Sequence, residues 1–357
     1  MTSSGHLSRL ASRAERINAP LSALFELTGR CNLDCGHCYL DIANPPAELT
    51  TAQALAVVDA LADAGTLFLT LTGGELFLRK DALVVAAHAR RRGLALRLFT
   101  NATRITPAIA AEIARIRPLG VEVSIYGAHG VQHDTVTRRR ALRRTLRGIL
   151  YLKRAGVAVG LKAPLMGSVV DELDSIVQLA ARLGLPIAFD PFVTPRHDGD
   201  RAPISLRATT DALASALRHP AMGMSSATLA EPLHPDQAPC AVARRTTRID
   251  PSGNVYPCPT YPEPAGNLLE QPFSEIWRTA PILERLRAVK VRDLAGACVG
   301  CSQSGYCGRC SAVALIEHGD DRGPSQESCR VAEAKEIAVE GATRHSPRPR
   351  TVRLRVV

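Results

Sequence analysis

The sequence contains few aromatic residues: 7 Phe, 6 Tyr and 1 Trp among 357 residues. Rows of stacked rings, which hold single-stranded nucleic acids in many proteins, are therefore not expected, and we predict no nucleic-acid partner. The sequence also lacks a run of about 18 apolar residues that could cross a membrane. Its N-terminal residues lack the apolar core of a signal peptide. These absences predict a cytoplasmic protein without a membrane partner.

Acidic residues are outnumbered by basic ones, with 34 Asp and Glu against 44 Lys and Arg, which gives a formal net charge of +10. Five arginines lie in the Pro-containing tail over residues 344–357, which we expect to be solvated and disordered. Another group at helical spacing predicts a basic helix face. Its members are Arg138, Arg139, Arg140, Arg143, Arg144 and Arg147. This face is either an ordinary solvated surface or a dock for an acidic peptide or partner.

The length suggests about two domains, and 46% apolar residues are enough for a sizeable core. Residues 21–220 alternate short apolar runs with amphipathic segments, which predicts six β/α units. The predicted strands are 22–28, 67–72, 95–100, 121–126, 157–163 and 186–192. The predicted helices are about 51–64, 80–92, 107–116, 139–155, 169–183 and 209–218. The expected fold class is α/β, a partial (β/α)6 TIM-like barrel with an open side.

The remaining segments differ in composition from this barrel region. Residues 1–20 are expected to form an N-terminal arm, and the Pro- and Ser-rich residues 221–239 a linker. Residues 240–330 are rich in Gly, Pro and Cys, and they hold seven of the ten cysteines. We expect that this small domain cannot build a conventional core and that metal ligation holds it together. Residues 331–357 are expected to form a C-terminal helix and the basic tail.

Ten cysteines in a reducing compartment indicate metal ligation rather than disulfides. Three of them, Cys31, Cys35 and Cys38, form a C-x3-C-x2-C triplet directly after the first predicted strand. Three thiolates on one loop can hold three corners of a [4Fe–4S] cluster and leave the fourth iron open. The alternative is a structural zinc site, which needs a fourth ligand. His37 is available for that role, but it adjoins Cys38.

A second motif, Gly73-Gly74-Glu75, follows the second predicted strand. Together with the cysteine triplet, it resembles the radical S-adenosylmethionine (SAM) superfamily, and the resemblance covers residues 21–330. It implies that the two glycines allow a close backbone approach and that Glu75 holds the amino group of SAM. Leu76 departs from the family, which usually has Pro at this position.

Further positions resemble SAM contacts of the same superfamily. Asn101 lies in T-N-A where relatives have T-N-G, and Ser124 begins S-I-Y-G where relatives often have S-L/I-D-G. The resemblance implies that Asn101 lines the SAM site and that Ser124 and Arg138 meet the ribose and carboxylate of SAM. Tyr126 replaces the usual Asp. An ordinary core serine and an ordinary surface arginine are the alternatives for Ser124 and Arg138.

The seven C-terminal cysteines resemble the SPASM extension of radical SAM enzymes, which binds auxiliary iron–sulfur clusters. A zinc ribbon is the alternative. The resemblance implies one or two auxiliary [4Fe–4S] clusters, an inner one on Cys240, Cys258 and Cys310 and an outer one on Cys298, Cys301, Cys307 and Cys329. The last pair is C-x2-C, where relatives usually have C-x3-C. Three four-iron clusters with one open iron need about eleven thiolates, and the chain has ten. The inner cluster would therefore lack one ligand.

The resemblance implies an enzyme that cleaves SAM reductively to a 5′-deoxyadenosyl radical. We expect it to modify a ribosomally made peptide by crosslinking, epimerisation or a similar reaction. The main alternative is small-molecule cofactor maturation, such as oxidative decarboxylation in the haem pathway. Sulfatase maturation is disfavoured because Pro259 follows Cys258 where those enzymes carry an Asp. An iron–sulfur electron carrier without catalytic activity is the remaining alternative.

The expected partners are a peptide substrate and an electron donor such as flavodoxin or ferredoxin. About 20 residues precede the first predicted strand, too few for a fused leader-binding domain, so we expect a separate leader-binding protein or recognition by the barrel. The candidate catalytic residues are Tyr126, Lys162 and Asp190, near the C-terminal ends of strands, where barrel enzymes place their active sites. A Lys162–Asp190 salt bridge lining the barrel is the alternative for the last two.

Overall fold

The computed structural model describes residues 3–224 and 234–343. The predicted basic tail over residues 344–357 and the middle of the predicted linker lie outside the described residues. Across the two described ranges, no helix combines the length and the apolar character that crossing a membrane requires.

Nine strands of the described chain form one sheet. They are β1 (Ser22–Thr28), β2 (Phe68–Gly73), β3 (Ala95–Thr100), β4 (Gly120–Ser124), β5 (Val159–Pro164), β6 (Ile187–Asp190), β7 (Thr246–Ile249), β8 (Asn254–Tyr256) and β9 (Gly266–Asn267). Their order is β6-β5-β4-β3-β2-β1-β7-β8-β9. Strands β1 to β7 pair in parallel, and β8 and β9 continue the sheet in antiparallel pairing. The six predicted strands are all present, and the α/β class is confirmed.

Helices connect these strands. They are α1 (Ser3–Arg16), α2 (Thr51–Asp63), α3 (Ala82–Arg91), α4 (Pro107–Ile116), α5 (Gly130–Thr137), α6 (Leu142–Arg154), α7 (Gly167–Asp171), α8 (Leu173–Leu183), α9 (Thr210–Leu217), α10 (Phe273–Thr279), α11 (Pro281–Ala288), α12 (Ser311–His318) and α13 (Gln326–Thr343). The sequence did not predict α5. The helix predicted over 139–155 begins at Leu142, and the one predicted over 169–183 is divided at Glu172.

The two faces of the parallel sheet have different chemistry. Since side chains alternate along a strand, one face is apolar and lies in the hydrophobic core; Leu71, Leu98 and Val123 are completely buried there. The opposite face carries polar and charged residues, among them Glu122 and Lys162. A partial barrel of this kind offers a polar inner face on which a substrate can be held.

The expectation that residues 240–330 cannot form a conventional core is wrong. Strand β7 extends the central sheet by pairing with β1, from Ser22–Thr246 to Phe25–Ile249. Helix α10 buries Phe273 and Trp277 in the same hydrophobic core as the barrel. The segment lacks long apolar runs, but its short helices bury their apolar side chains in the core that they share with the barrel. Its first half therefore belongs structurally to the barrel.

Candidate active site

The loop that carries the cysteine triplet follows β1 and is fixed to α5. The backbone N–H of Asp34 donates to the carbonyl of Thr137 at 3.1 Å, and that of Gly36 to Val136 at 3.2 Å. Burial raises the pKa of the Cys31 thiol to about 11, and the neighbouring Glu75 and Cys38 contribute in the same direction. Burial also raises the pKa of Cys38. Binding to iron stabilises thiolates, so cluster assembly on this loop would release protons.

The Gly-Gly-Glu motif at the end of β2 packs directly on the cysteine loop. The backbone N–H of Gly74 donates to Thr28 at 2.9 Å, and that of Glu75 to Arg30 at 2.8 Å. A Cβ atom on Gly74 would lie 2.3 Å from the Arg30 carbonyl oxygen and 3.0 Å from the Cβ of Cys31. Only glycine fits at this position, because the two backbones approach so closely.

The Glu75 side chain is fully buried and is held in one orientation. Its carboxylate accepts hydrogen bonds from the Thr100 hydroxyl at 2.7 Å and from the backbone N–H groups of Asn101 at 2.8 Å and Phe77 at 3.1 Å. Burial raises the pKa of Glu75, whereas these three donors lower it. A carboxylate has about four acceptor positions. Three are occupied, which leaves one for the cationic group of a ligand.

Asn101 connects Glu75 with the cysteine loop. Its side-chain amide donates to the Asn32 side chain at 3.1 Å and lies 4.0 Å from the Cys31 sulfur. Asn32 was not predicted as a site residue, because it stands inside the triplet and belongs to no motif of its own. Cys31, Glu75 and Asn101 therefore form one contiguous site at the C-terminal ends of β1, β2 and β3, and these residues fit a cluster with SAM bound beside it.

We expect Gly74→Ala to destabilise the protein and to reduce cluster binding. The added methyl group forces the Arg30 backbone away, and overpacking of this kind costs about 1–3 kcal/mol. Gly167→Ala is the matched control, since a Cβ at Gly167 meets no atom within 4 Å. Anaerobic urea unfolding and iron analysis measure both effects. Equal stability and equal iron content in the two variants would contradict the close packing of the motif on the cysteine loop.

Tyr126 lies behind the cysteine loop among aromatic rings. Its ring contacts His37 edge-on at a centroid distance of 4.7 Å and stacks on His133 at 5.4 Å. Burial lowers the pKa of both histidines to about 4, so both rings are neutral at physiological pH. His37 Nδ1 has no hydrogen-bond partner among the described residues. Tyr126 itself is buried, which favours a packing role beside the cluster loop.

Arg138 and Ser124 are the two residues that were expected to meet the ribose and carboxylate of SAM. Arg138 caps α5 in a left-handed conformation with φ of 52°, and its guanidinium lies 3.8 Å from the Asp34 carboxylate. The structure thus brings Arg138 to the cysteine loop. Ser124 ends β4 and pairs in register with Lys162 of β5.

Lys162 and Asp190 lie on neighbouring strands, but they do not form a salt bridge with each other. The Lys162 ammonium instead pairs with Glu122 at 2.6 Å and lies 4.3 Å from the centroid of the Phe99 ring. The Asp190 carboxylate accepts the backbone N–H of Phe192 at 2.9 Å. The surrounding protein partly desolvates the Asp190 carboxylate and raises its pKa, although the residue remains exposed. The alternative of a Lys162–Asp190 salt bridge is wrong, because the ammonium group of Lys162 pairs with Glu122 on the neighbouring strand.

A buried charged pair that was not predicted from the sequence joins the barrel to the C-terminal segment. Glu26 of β1 and Arg248 of β7 are 1% and 3% exposed, and their charged atoms are 3.8 Å apart. Tyr39 donates to Glu26 at 3.1 Å, and Arg248 also contacts His197. Burial raises the pKa of Glu26 to about 7, although Arg248 and Tyr39 lower it. The sequence signal for this pair was Glu26 itself, a charged residue within the mostly apolar strand β1.

The seven C-terminal cysteines are brought together in two sets. Cys258 lies near Cys310 and Cys240, whereas Cys307 lies near Cys329, Cys298 and Cys301. Burial raises the pKa of Cys258 to about 12 and that of Cys307 to about 11. These sets match the proposed inner and outer clusters.

A hydroxyl group lies beside the three-cysteine set. The Ser311 oxygen is 3.7 Å from the Cys240 sulfur and accepts a hydrogen bond of 2.8 Å from Arg309. Because Arg309 occupies an acceptor position of the hydroxyl, the hydroxyl proton is free to point toward the Cys240 sulfur.

All ten cysteines are free thiols. Over residues 3–224 and 234–343, no three His, Cys, Asp or Glu side chains converge closely enough to hold a single metal ion. Ligands of a cubane bind different irons, so they need not converge on one point. The arrangement is compatible with clusters.

Comparison with known proteins identifies the class. The Radical SAM superfamily profile matches residues 25–180, and the SPASM iron–sulfur cluster-binding domain profile matches residues 240–311. The AdoMet-dependent heme synthase of Methanosarcina barkeri is 30% identical over 334 residues, covering 85% of this chain and 94% of that protein. Mycofactocin maturase MftC of Mycobacterium ulcerans is 30% identical over 353 residues, covering 94% of each chain.

Among solved structures, Streptococcus suis SuiB bound to precursor peptide SuiA has the same fold, with a TM-score of 0.71 and 14% identity over 91% of this chain and 80% of that chain. The chain belongs to the radical SAM superfamily and carries a SPASM domain. It is therefore an enzyme whose cofactors are SAM and [4Fe–4S] clusters.

Proposed function

We propose that this enzyme modifies a ribosomally made peptide with a 5′-deoxyadenosyl radical generated at the C-terminal edge of the barrel. The observation that carries the radical chemistry is the contact of Glu75 and Asn101 with the cysteine loop. The similarity to MftC, named a maturase, over 94% of both chains supports a peptide substrate. SuiB, which has the same fold, was solved with a precursor peptide.

The roles of the site residues follow from their positions. Cys31, Cys35 and Cys38 would hold three irons of the cluster, and the bound cluster and SAM supply the radical that abstracts hydrogen from the substrate. The free acceptor position of Glu75 would bind the ammonium group of SAM. The Asn101 amide orients the loop beside it, because its side chain bridges to Asn32.

The inner face of the barrel would contact the substrate. We assign Lys162 and Asp190 to substrate contact, because both lie near the C-terminal ends of neighbouring strands on the polar face. Ser124 and Arg138 would meet the ribose and carboxylate of SAM. Tyr126 is a weaker catalytic candidate, since its ring is buried between two histidines.

The two C-terminal cysteine sets would hold auxiliary clusters. We expect about 12 irons per reconstituted chain, from three clusters of about four irons each. Replacing Cys298 and Cys301 by Ala should remove about four irons, because the outer set then has two thiolates. The EPR signal of the cluster that binds SAM should persist in this variant. A wild-type content of about four irons would contradict auxiliary clusters.

A separate leader-binding protein and a protein electron donor complete the proposal. Free thiols throughout the chain fit a reducing compartment, so we place the enzyme in the cytoplasm.

Haem-pathway decarboxylation is the second candidate, because the Methanosarcina barkeri heme synthase is 30% identical over 94% of its length. Anaerobic reactions with SAM and dithionite distinguish the two. One set contains short peptides encoded beside the enzyme gene, and the other contains propionate-bearing tetrapyrroles. We expect a mass change in a peptide, detected by mass spectrometry. Turnover of the tetrapyrroles alone would overturn the peptide proposal.

A further inference from the structure

The outer surface of α6 carries an unusual concentration of positive charge. Between Asp134 and Asp171 the sequence has nine Lys and Arg residues and no Asp or Glu. Five arginines on or just before α6 are exposed, and we call them the arginine face: Arg139, Arg140, Arg143, Arg144 and Arg147.

The arginine face lacks the acidic partners that several other surface arginines have. Arg92 pairs with Asp59 and Asp63, and Arg30 pairs with Glu48. None of the five arginines forms an ion pair with a carboxylate of the described residues; Arg144 donates only to the Arg140 carbonyl, at 3.0 Å.

This charge is unfavourable for the helix itself. Arg143 and Arg144 lie in the first turn of α6, where the helix dipole disfavours positive charge. Like charges at i,i+4 spacing, as at Arg143 and Arg147, destabilise a helix further. A helix face that only contacts water gains nothing from unpaired positive charges at the helix N-terminus. An acidic partner would neutralise them.

The opposite side of α6 contacts the proposed SAM site. The Thr145 hydroxyl donates to the Asn101 carbonyl at 2.9 Å. A Cβ on Gly148 would lie 2.1 Å from the Ala102 carbonyl oxygen, so the helix backbone packs directly on the loop after β3. The preceding helix, α5, holds the cysteine loop through Thr137 and Val136. Since a helix is about 10–12 Å across, a protein on the arginine face would lie about one helix diameter from the site.

We propose that the arginine face docks the electron-donor protein, a one-electron carrier with an acidic surface. This inference rests on the proposed function, because it assumes a cluster on Cys31, Cys35 and Cys38. The reduced donor passes one electron to the cluster. The donor is thereby oxidised by one electron, and the cluster is reduced by one electron. The face lies on the outer side of the barrel, whereas a peptide substrate must reach the polar inner face. An acidic leader peptide therefore fits this surface less well.

Charge reversal tests the proposal. The variant Arg143→Glu/Arg147→Glu is compared with Arg91→Glu/Arg182→Glu, which makes the same change in net charge at exposed positions on α3 and α8. Stopped-flow absorbance follows reduction of the reconstituted enzyme by reduced flavodoxin at low and high salt. We expect the α6 variant to be reduced about tenfold more slowly than the control at low salt, with a weaker salt dependence, because electrostatic steering is lost. Reduction of both variants by dithionite should be unchanged.

Other outcomes overturn the docking proposal. Equal rates with flavodoxin in the two variants would exclude the arginine face as the dock. Unchanged flavodoxin rates together with weaker binding of an acidic peptide would assign the face to a leader peptide instead. Failure of the unmodified enzyme to form 5′-deoxyadenosine with dithionite would refute the proposed function itself. This result is distinguishable from failure of the docking proposal, which leaves the dithionite reaction intact.

Discussion

Replacing Cys31, Cys35 or Cys38 by Ala should abolish SAM cleavage and remove about four irons per chain. With two thiolates left, the loop cannot hold a cubane whose open iron binds SAM. The chain should remain folded, because the loop lies on the surface after β1 and its cysteines are only partly buried. Mass-spectrometric quantification of 5′-deoxyadenosine, together with iron analysis and circular dichroism, measures all three effects.

Cys329→Ala is the matched control for these variants. Cys329 is exposed and belongs to the outer set, so its loss should leave the EPR signal of the SAM-binding cluster in place. Unchanged 5′-deoxyadenosine production in any triplet variant would refute the assignment of the site.

Glu75→Gln should weaken SAM binding by about 10–100-fold, because a hydrogen bond to a charged group contributes about 1.5–3 kcal/mol. The amide has no negative charge for an ammonium ion. Its NH2 group must also face either the Asn101 N–H or the Phe77 N–H, both of which are donors. Equilibrium binding of SAM to the reconstituted protein measures the effect.

Glu284→Gln provides the control, since Glu284 is exposed on α11. Unaltered SAM affinity in Glu75→Gln would show that the buried carboxylate serves the fold alone. A loss of stability without a loss of affinity would support the same conclusion.

The strands of the barrel could be predicted because each carries an apolar face with a period of two residues, as in Ala95–Thr100. Helices α10, α11 and α12 were not predicted, because each is only seven or eight residues long and the Cys-rich segment around them was assigned to metal ligation. The i, i+3, i+4 spacing of Phe273, Ile276 and Trp277 was a usable signal, and all three are buried in α10.

The parts of the site that lie within continuous motifs could likewise be predicted. The cysteine triplet and Gly73-Gly74-Glu75 each occupy one short loop, so their spacing alone indicates their chemistry. The Glu26–Arg248 pair depends on the pairing of β1 with β7, which lie far apart in the sequence. The predicted Lys162–Asp190 pair was wrong for a similar reason. The register between β4 and β5 places Glu122 within reach of Lys162, and this register cannot be read from the local sequence.

Formation of 5′-deoxyadenosine by the anaerobically reconstituted enzyme tests directly whether Cys31, Cys35 and Cys38 hold a cluster that cleaves SAM. The enzyme is incubated with SAM and dithionite, and the nucleoside is quantified against the Cys31→Ala variant treated in the same way. We predict 5′-deoxyadenosine and methionine in equal amounts from the wild-type enzyme and none above background from the variant. Equal background amounts from both proteins would contradict it.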